Sequence, residues 1–236
     1  MSFAESATTT VETPVPATPH LPTGTAAEGS IAASGHRSVK RAFDIAVAGT
    51  LLVLLLPLLL LVALAVRLDA RGPVLFRQRR YGAGCRPFSA LKFRTMHVDA
   101  ETRLKELLAA DPELKREYDR FHKLRCDPRV TRAGRFLRRT SLDELPQLWN
   151  VLTGDMSLIG PRPYMPAELE PYPNARHAIG QVKPGITGLW QVSGRHRTTF
   201  EDRLQFDIAY VEGYSLRRDM AILLRTVMVV LKADGI

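Results

Sequence analysis

The sequence predicts a mixed α/β chain that is mostly helical, has a small sheet, and contacts a membrane through an apolar helix broken by a proline. Three observations support this fold class. A long uncharged run lies near the start, two short strand patterns follow it, and apolar residues recur at helical spacing over much of the remainder. With 236 residues, 45% hydrophobic and 24% charged, the composition excludes a wholly disordered protein.

Residues 1–35 differ in composition from the rest of the chain. They are rich in Ala, Thr, Pro, Ser and Gly, and they contain three Glu but no Lys or Arg. Such a segment buries too little apolar surface to offset the entropy lost on ordering, so we predict a disordered tail over 1–35. The whole chain has a net charge of +9, so the residues after the tail carry +12.

The run from Ile45 to Val66 contains no charged residue. As a single helix its 22 residues would extend about 33 Å at ~1.5 Å per residue, close to the thickness of a bilayer core. This length predicts membrane contact. Pro57 divides the run into 12 and 9 residues, and a proline inside a helix kinks or breaks it. Each half alone is too short to cross.

Basic residues flank the run on both sides, at Arg37, Lys40, Arg41, Arg67, Arg71, Arg77, Arg79 and Arg80. Positive charge prefers the cytoplasmic side of a membrane. A re-entrant hairpin that returns to its side of entry suits both flanks, whereas a kinked transmembrane helix, the commoner structure, leaves one flank misplaced. The residues alone leave both topologies open. We predict a membrane segment over 36–70 and a cytoplasmic domain with interfacial helices over 71–236.

Beyond the membrane segment the patterns are those of a globular domain. Residues 74–76 and 88–93 are predicted strands around a turn at 81–84. Residues 100–125 form two predicted helices, broken at Asp111-Pro112, whose apolar stripes suit a core or a membrane interface. The run from Met220 onward is interrupted by Arg225 and is too short to span, so a buried or interfacial helix is expected there.

Cysteine usage and charge narrow the function classes. Cys85 and Cys126 are too few for a disulfide framework and lack the spacing of metal ligands, so we expect reduced thiols and no zinc site. The positive charge indicates anionic partners: nucleic acid, nucleotide phosphates or an acidic membrane. Nucleic acid is the weakest of these, because no helix-turn-helix, zinc-finger or RNA-recognition pattern accompanies the charge.

One short stretch holds the densest set of chemically active residues. Asp143 and Glu144 are adjacent carboxylates that follow Arg138 and a second arginine. One interpretation is purely structural, with Ser141 and Glu144 forming a capping box at a helix start. Pro146 argues against it, because a proline fits better at the first helical position than deeper in the helix. In either case the acids lie at a helix N-terminus beside arginines, which is a phosphate-binding environment with oxygen ligands suited to Mg²⁺. Phosphoryl transfer needs such ligands, cations and a positioned nucleophile.

Further cations lie on constrained backbone. Arg162 is held between two prolines on a stiff turn, for which the plain alternative is a solvated surface turn. Lys92 and Arg94 alternate with apolar residues, so both are predicted on one strand face. Arg195 follows a loop that contains Trp190, although a tryptophan is more often part of a core.

Together these motifs resemble the bacterial sugar transferase family, the monotopic phosphoglycosyl transferases that start surface-polysaccharide assembly. The resemblance runs from about Lys40 to the C-terminus. It rests on six segments: Lys40-Arg41-x-Phe43-Asp44, Lys92-Phe93-Arg94-Thr95-Met96, Asp127-Pro128-Arg129-Val130-Thr131, Thr140-Ser141-Leu142-Asp143-Glu144-Leu145-Pro146-Gln147, Ser157-Leu158-Ile159-Gly160-Pro161-Arg162-Pro163 and Pro184-Gly185-Ile186-Thr187-Gly188.

The resemblance implies a re-entrant membrane helix broken at Pro57, with the catalytic domain on the cytoplasmic face of the inner membrane. It also implies transfer of a sugar 1-phosphate from a UDP-sugar to undecaprenyl phosphate, with release of UMP and with Mg²⁺ as cofactor. The expected partners are these two substrates and membrane lipids, with no nucleic acid. A homo-oligomer and other polysaccharide-assembly enzymes are further expected partners.

The resemblance also assigns roles to residues. Asp143 matches the family's nucleophile, which forms a covalent phosphosugar intermediate, and we expect it to be the metal ligand as well. Glu144 matches a supporting acid–base residue, while Arg138 and Arg162 match phosphate-binding arginines. Three more cations complete the predicted substrate-binding set: Lys92, Arg94 and Arg195.

Two finer expectations follow from the same comparison. Many family members have a serine before the helix-breaking proline, where this chain has Leu56, so another group would have to satisfy the freed carbonyl. The stretch from Lys123 to Arg129 is most similar to the subgroup that starts hexose exopolysaccharides, which consists of the catalytic core alone. This similarity favours UDP-galactose or UDP-glucose as donor.

A rival function stays open at this point. The chain could be a non-catalytic, membrane-anchored protein that recruits or regulates polysaccharide-assembly enzymes through its basic surface. The feature that discriminates is the Asp143-Glu144 pair in its arginine-rich frame, because a recruiting protein has no need of it.

Overall fold

The structure is a computed structural model, and it describes residues 29–121, 124, 126–193 and 198–231. Most of the tail predicted over 1–35 lies outside these residues. The last part of that segment lies inside them and is already helical, because the first helix begins at Gly29. The described chain is mostly helical with little strand, as the sequence predicts.

The apolar run forms two helices, α1 (Gly29–Leu54) and α2 (Leu56–Asp69), which meet at a bend of 63°. Pro57 lies in the first turn of α2, where a missing N–H is tolerated because first-turn amides lack a partner within their helix. Amides of residues 55 and 59 still donate to carbonyls one turn earlier, at 2.8 Å each, so hydrogen bonding continues across the bend. No side chain caps the start of α2, where Leu55 is the N-cap residue.

None of the described helices reaches across a bilayer by itself, whereas α1 from Arg37 and α2 have the necessary length and apolar composition when taken together. The bend region presents a continuous apolar surface. Seven of its side chains are more than half exposed: Val53, Leu54, Leu56, Leu60, Leu61, Leu64 and Leu68. An exposed apolar surface of this kind is typical of a site that contacts a membrane or another protein.

The predicted hairpin is confirmed. β1 (Leu75–Tyr81) and β2 (Pro87–Phe93) pair antiparallel, with Leu75 opposite Phe93. Gly84 adopts a positive φ of 66° in the short 3₁₀ turn between the strands. The hairpin carries Arg80 near the end of one strand and Lys92 near the end of the other.

A second pair of strands, not predicted from the sequence, links two distant segments. β3 (Ser157–Ile159) and β4 (Gly185–Thr187) run parallel. Gly160 and Gly185 allow their close approach, because a Cβ on either residue would collide with the facing backbone. The stiff turn that contains Arg162 follows β3 directly.

Nine further helices lie in the described part of the chain: α3 (Ala100–Ala110), α4 (Pro112–Phe121), α5 (Arg132–Thr140), α6 (Gln147–Thr153), α7 (Pro166–Leu169), α8 (Pro173–Ile179), α9 (Leu189–Ser193), α10 (Phe200–Glu212) and α11 (Leu216–Leu231). The predicted break between two helices at Asp111 is confirmed. The carboxylate of Asp111 accepts hydrogen bonds from the amides of Glu113 and Leu114, at 2.8 and 3.2 Å, and so caps α4.

The core ties both halves of the apolar segment to the globular domain. Ala48 of α1 is fully buried in the main cluster, together with α6, β3, α10 and α11. Val62 and Val66 of α2 pack with Phe93 of β2 and Leu137 of α5 in a separate cluster. Helices α5 and α6 are therefore held directly against the apolar segment, and so is the turn that joins them.

Candidate active site

Asp143 and Glu144 lie on a 3₁₀ turn, Leu142–Glu144, between α5 and α6. Ser141 precedes it in the left-handed conformation with φ of 57°, which ends α5 and reverses the chain. The Ser141 side chain makes no capping hydrogen bond, so the capping-box interpretation is wrong. The two acids are free of the purely structural role that their sequence pattern also allowed.

The Glu144 carboxylate is engaged by a lysine of the hairpin. Lys92 Nζ lies 2.7 Å from Glu144 Oε1, and both side chains are partly exposed. An ion pair at this degree of exposure contributes little to stability, so its main effect is to fix positions. It places a carboxylate and an ammonium beside Asp143.

Asp143 is the most perturbed acid of this group. Its pKa is raised to about 6, first by burial and then by the adjacent charge of Glu144, while the charges of Lys92 and Arg138 act in the opposite direction. A carboxylate with this pKa is ionised at neutral pH and is more basic than an ordinary aspartate. This combination suits a nucleophile or a general base.

Arg138 is positioned from the side of α5. Its Nε donates to Thr95 Oγ1 at 2.9 Å, which orients the guanidinium, and Thr95 is itself buried just after β2. Burial lowers the pKa of Arg138, and the charge of Asp143 counteracts that effect. The structure therefore brings Arg138, Lys92, Asp143 and Glu144 into one site, as predicted.

Arg162 belongs to the same region through a buried arginine that the sequence analysis did not assign to the site. Arg80 donates to the carbonyl of Pro163 at 3.0 Å and to Glu168 Oε2 at 3.2 Å, which fixes the Arg162 turn to β1. Burial lowers the pKa of Arg80, whereas the charge of Glu168 raises it. Smaller contributions come from Arg162, which lowers this pKa, and from Glu144, which raises it. The sequence does contain one sign of this role of Arg80. It lies two residues after Gln78, so the two polar side chains share one face of strand β1.

The Arg162 turn is also anchored on its other side. The amide of Arg162 donates to Asp207 Oδ2 at 3.0 Å, and the Tyr164 hydroxyl donates to the same oxygen at 2.8 Å. The Arg162 guanidinium lies over the ring of Trp190, 5.4 Å from its centroid, and Arg203 lies 4.8 Å from it. Trp190 is buried, so the expectation of a core tryptophan is confirmed.

Two predicted substrate-binding residues do not join this set. Arg94 is buried and donates to the carbonyls of Arg71 and Ala70, at 2.8 and 2.6 Å, at the end of α2. It clamps the apolar segment to the hairpin, which corrects its assignment to substrate. Arg195 lies outside the described residues.

The carboxylates of this site are the candidate ligands for a metal ion. Among the described residues, no three His, Cys, Asp or Glu side chains cluster closely enough to form a complete metal site. The Asp143-Glu144 pair fits Mg²⁺ nonetheless, because Mg²⁺ is commonly held by one or two carboxylates, waters and substrate phosphates. Cations at Arg138, Lys92 and Arg162 supply the rest of a phosphate-binding environment.

Several known proteins are similar to this chain in sequence. The UDP-galactose-lipid carrier transferase of Erwinia amylovora is 48% identical over 87% of this chain and 43% of its own length. The exopolysaccharide production protein ExoY of Sinorhizobium fredii is 41% identical over 83% of this chain and 87% of its own. The UDP-glucose:undecaprenyl-phosphate glucose-1-phosphate transferase of Caulobacter vibrioides is 45% identical, over 83% and 71% respectively.

This chain spans less than half of the length of the Erwinia protein, 43%. The similarity covers the whole of the site described above, from Lys92 to Arg162. A family model for the bacterial sugar transferases matches residues 35–233. The chain therefore belongs to the bacterial sugar transferase family.

Proposed function

We propose that this chain is a phosphoglycosyl transferase that moves a sugar 1-phosphate from a UDP-sugar to undecaprenyl phosphate and releases UMP. The observation that carries the proposal is Asp143: a partly buried carboxylate with a pKa of about 6, surrounded by phosphate-binding cations. The names of the Erwinia and Caulobacter relatives favour UDP-galactose or UDP-glucose as donor. The ExoY relatives favour a first step in exopolysaccharide assembly.

The proposed reaction has two displacements at one phosphorus. Asp143 attacks the β-phosphorus of the donor, so that an aspartyl–phosphate bond forms and the bond to the bridging oxygen breaks, and UMP leaves with that electron pair. A phosphate oxygen of undecaprenyl phosphate then attacks the same phosphorus and regenerates the free carboxylate. One nucleophile thus serves two substrates of different solubility in turn.

The surrounding residues have distinct roles in this scheme. Arg138, oriented by Thr95, and Arg162, held on its anchored turn, bind donor phosphates as bidentate partners. Glu144, fixed by Lys92, is placed to take a proton from the incoming acceptor phosphate. Mg²⁺, held by Asp143 together with the donor phosphates, would neutralise charge on the phosphate oxygens.

The proposed location is the cytoplasmic face of the inner membrane, with α1 and α2 entering the bilayer as a re-entrant pair. The exposed leucines around the bend and the basic residues on both flanks support this placement. Because α5 and α6 pack on the apolar segment, the site would lie next to the membrane that presents the lipid acceptor. A non-catalytic recruiting protein would make no use of a perturbed carboxylate at this position.

A panel of UDP-sugars tests the reaction and identifies the donor. The full-length chain in membranes is incubated with undecaprenyl phosphate and each UDP-sugar, and UMP is measured. We expect UMP with UDP-galactose or UDP-glucose, loss of the signal with a chelator, and recovery with added Mg²⁺. Absence of UMP with every donor would refute the proposal, and activity without divalent metal would refute the role of Mg²⁺.

A further inference from the structure

A second group of cations surrounds a cavity of about 260 Å³ beside the middle turns of α1. The cavity is several times larger than the ~30 Å³ that one water occupies in the liquid. Its lining contains four basic residues, Arg37, Lys40, Arg41 and Lys183, and one carboxylate, Asp44. No residue of the Asp143 site lines it.

The polar groups at the back of the cavity are already paired with one another. Lys40 Nζ forms a buried ion pair with Asp219 at 2.7 Å, and the Tyr210 hydroxyl donates to the other oxygen of that carboxylate, also at 2.7 Å. The carboxylate of Asp44 accepts a hydrogen bond from the amide of Leu158 at 3.1 Å. These groups form a fixed wall.

The remaining cations of the cavity form no salt bridge in the described part of the chain. These cations are Arg37, Arg41 and Lys183. Arg41 donates only to carbonyl oxygens of residues 151 and 152, at the end of α6, and these leave its positive charge uncompensated.

Arg41 and Lys183 also converge on one place. A Cβ built on Gly154 would lie 3.4 Å from Arg41 Nη2 and 3.5 Å from Lys183 Nζ, so both charges border the same glycine. Burial lowers the pKa of Lys183, and the nearby charge of Arg41 lowers it further, while the carboxylates of Asp44 and Asp155 raise it to a smaller extent. Two like charges held together in a half-buried place repel each other, and because the nearby carboxylates compensate them only in part, an anion bound between them would be stabilised.

We infer that this cavity is a binding site for a phosphate group, held by Lys183, Arg41 and Arg37 and distinct from the Asp143 site. The uncharged run of α1 begins at Ile45, directly after Asp44, so the cavity borders the residues that lead into this apolar run. The phosphate can belong to an anionic phospholipid headgroup or to a soluble phosphate compound. Both present the same chemistry, and the experiment separates them.

Site-resolved acetylation of lysines tests the inference on the intact protein. The full-length chain is reconstituted in phosphatidylcholine vesicles and treated with an amine-acetylating reagent, and modification of Lys183 and of exposed Lys105 is followed by mass spectrometry. One arm adds inorganic phosphate in exchange for chloride at constant ionic strength. Another arm replaces the vesicles with mixed phosphatidylcholine–phosphatidylglycerol vesicles.

We expect the modification rate of Lys183 to fall about tenfold when the probe is present at about ten times its Kd, while that of Lys105 changes little. Protection by inorganic phosphate alone identifies a soluble ligand, and protection by phosphatidylglycerol alone identifies a lipid headgroup. Equal behaviour of the two lysines in every arm would overturn the inference. UMP release is not the readout, so failure here is independent of the proposed function.

A pair of variants provides a second test. Arg37→Gln with Lys183→Gln removes two charges from the cavity, and Lys105→Gln with Arg116→Gln removes two exposed charges elsewhere. For a ligand that stabilises the protein, thermal unfolding should shift upward with the probe that protected Lys183 in wild type and in the control, but not in the cavity variant. An undiminished shift in the cavity variant would contradict the assignment.

Discussion

Two aspartates with raised pKa values, Asp143 and Asp207, differ in what surrounds them. Asp207 is completely buried on α10, its pKa is raised to about 7 by burial, and it accepts hydrogen bonds from Tyr164 and the Arg162 amide. Asp143 is only partly buried, with a second carboxylate and two cations beside it. A perturbed pKa therefore marks both the proposed nucleophile and a positioning residue, and access to substrate distinguishes them.

The largest expected effect separates these two acids by activity. Asp143→Asn should reduce UMP release by about 10⁴-fold or more, because the amide is no nucleophile, while leaving thermal unfolding nearly unchanged. Asp207→Asn retains an amide oxygen that can accept both hydrogen bonds and should keep most turnover. Asp119→Asn, on the exposed face of α4, controls for loss of one negative charge. A strongly active Asp143→Asn protein would remove Asp143 from the mechanism.

Two arginine variants distinguish a residue of the candidate active site from a residue that supports the fold. Arg138→Ala should lower kcat/KM by about 10²–10³-fold, because a phosphate contact is lost, with little change in stability. Arg94→Ala should instead lower the unfolding temperature, because two carbonyls at the end of α2 lose their donor. Its activity per folded molecule should be close to wild type. The opposite pattern would show that Arg94, and not Arg138, contacts substrate.

The pH dependence identifies which aspartate controls the reaction. In single-turnover UMP release without acceptor, the rate should fall as the pH drops through about 6, because protonation removes the Asp143 nucleophile. Lys92→Gln removes a charge that lowers the pKa of Asp143, so the acidic limb of the pH–rate profile should move to higher pH. Glu144→Gln should move it to lower pH. A limb that stays in place in both variants, and moves in Asp207→Asn, would indicate Asp207.

A smaller loss of activity than for Asp143 or Arg138 is expected when the buried acid is truncated. Asp207→Ala leaves the Tyr164 hydroxyl and the Arg162 amide without their acceptor, so the free energy of unfolding should fall by about 3 kcal/mol. The rate should decrease by about tenfold through a looser Arg162 turn, mainly as a rise in KM. Chemical denaturation and steady-state kinetics measure the two effects. Unchanged stability would show that Asp207 does not support the turn.

Local patterns in the sequence predicted the elements that local physics determines. The β1–β2 hairpin and the break at Asp111 depend on turn residues and caps close in sequence, and both are confirmed. The parallel pairing of β3 with β4 depends on three-residue strands brought together from distant segments, which no local pattern reveals. The proline break was visible, although its angle is set by packing of α1 and α2 on the domain.

The site was predictable where the chemistry lies in one short segment. The adjacent acids, Arg138 and Lys92 are brought together as expected, whereas Arg94, on the strand face predicted for substrate, reaches backward to α2. Arg80 and Asp207 were missed because neither lies in a motif that indicates a site, and their partners are more than 40 residues away. Asp207 can be noticed in the sequence, because it places a carboxylate between Leu204 and Tyr210 on the buried face of α10.

The most direct test of the account is to locate the covalent intermediate. The protein is mixed with its UDP-sugar and Mg²⁺ in the absence of undecaprenyl phosphate, quenched, digested and analysed by mass spectrometry. The account predicts one hexose phosphate on the peptide that contains Asp143, lost when undecaprenyl phosphate is added before the quench and absent from Asp143→Asn. An adduct on another residue, or UMP release that needs the acceptor and leaves no adduct, would contradict it.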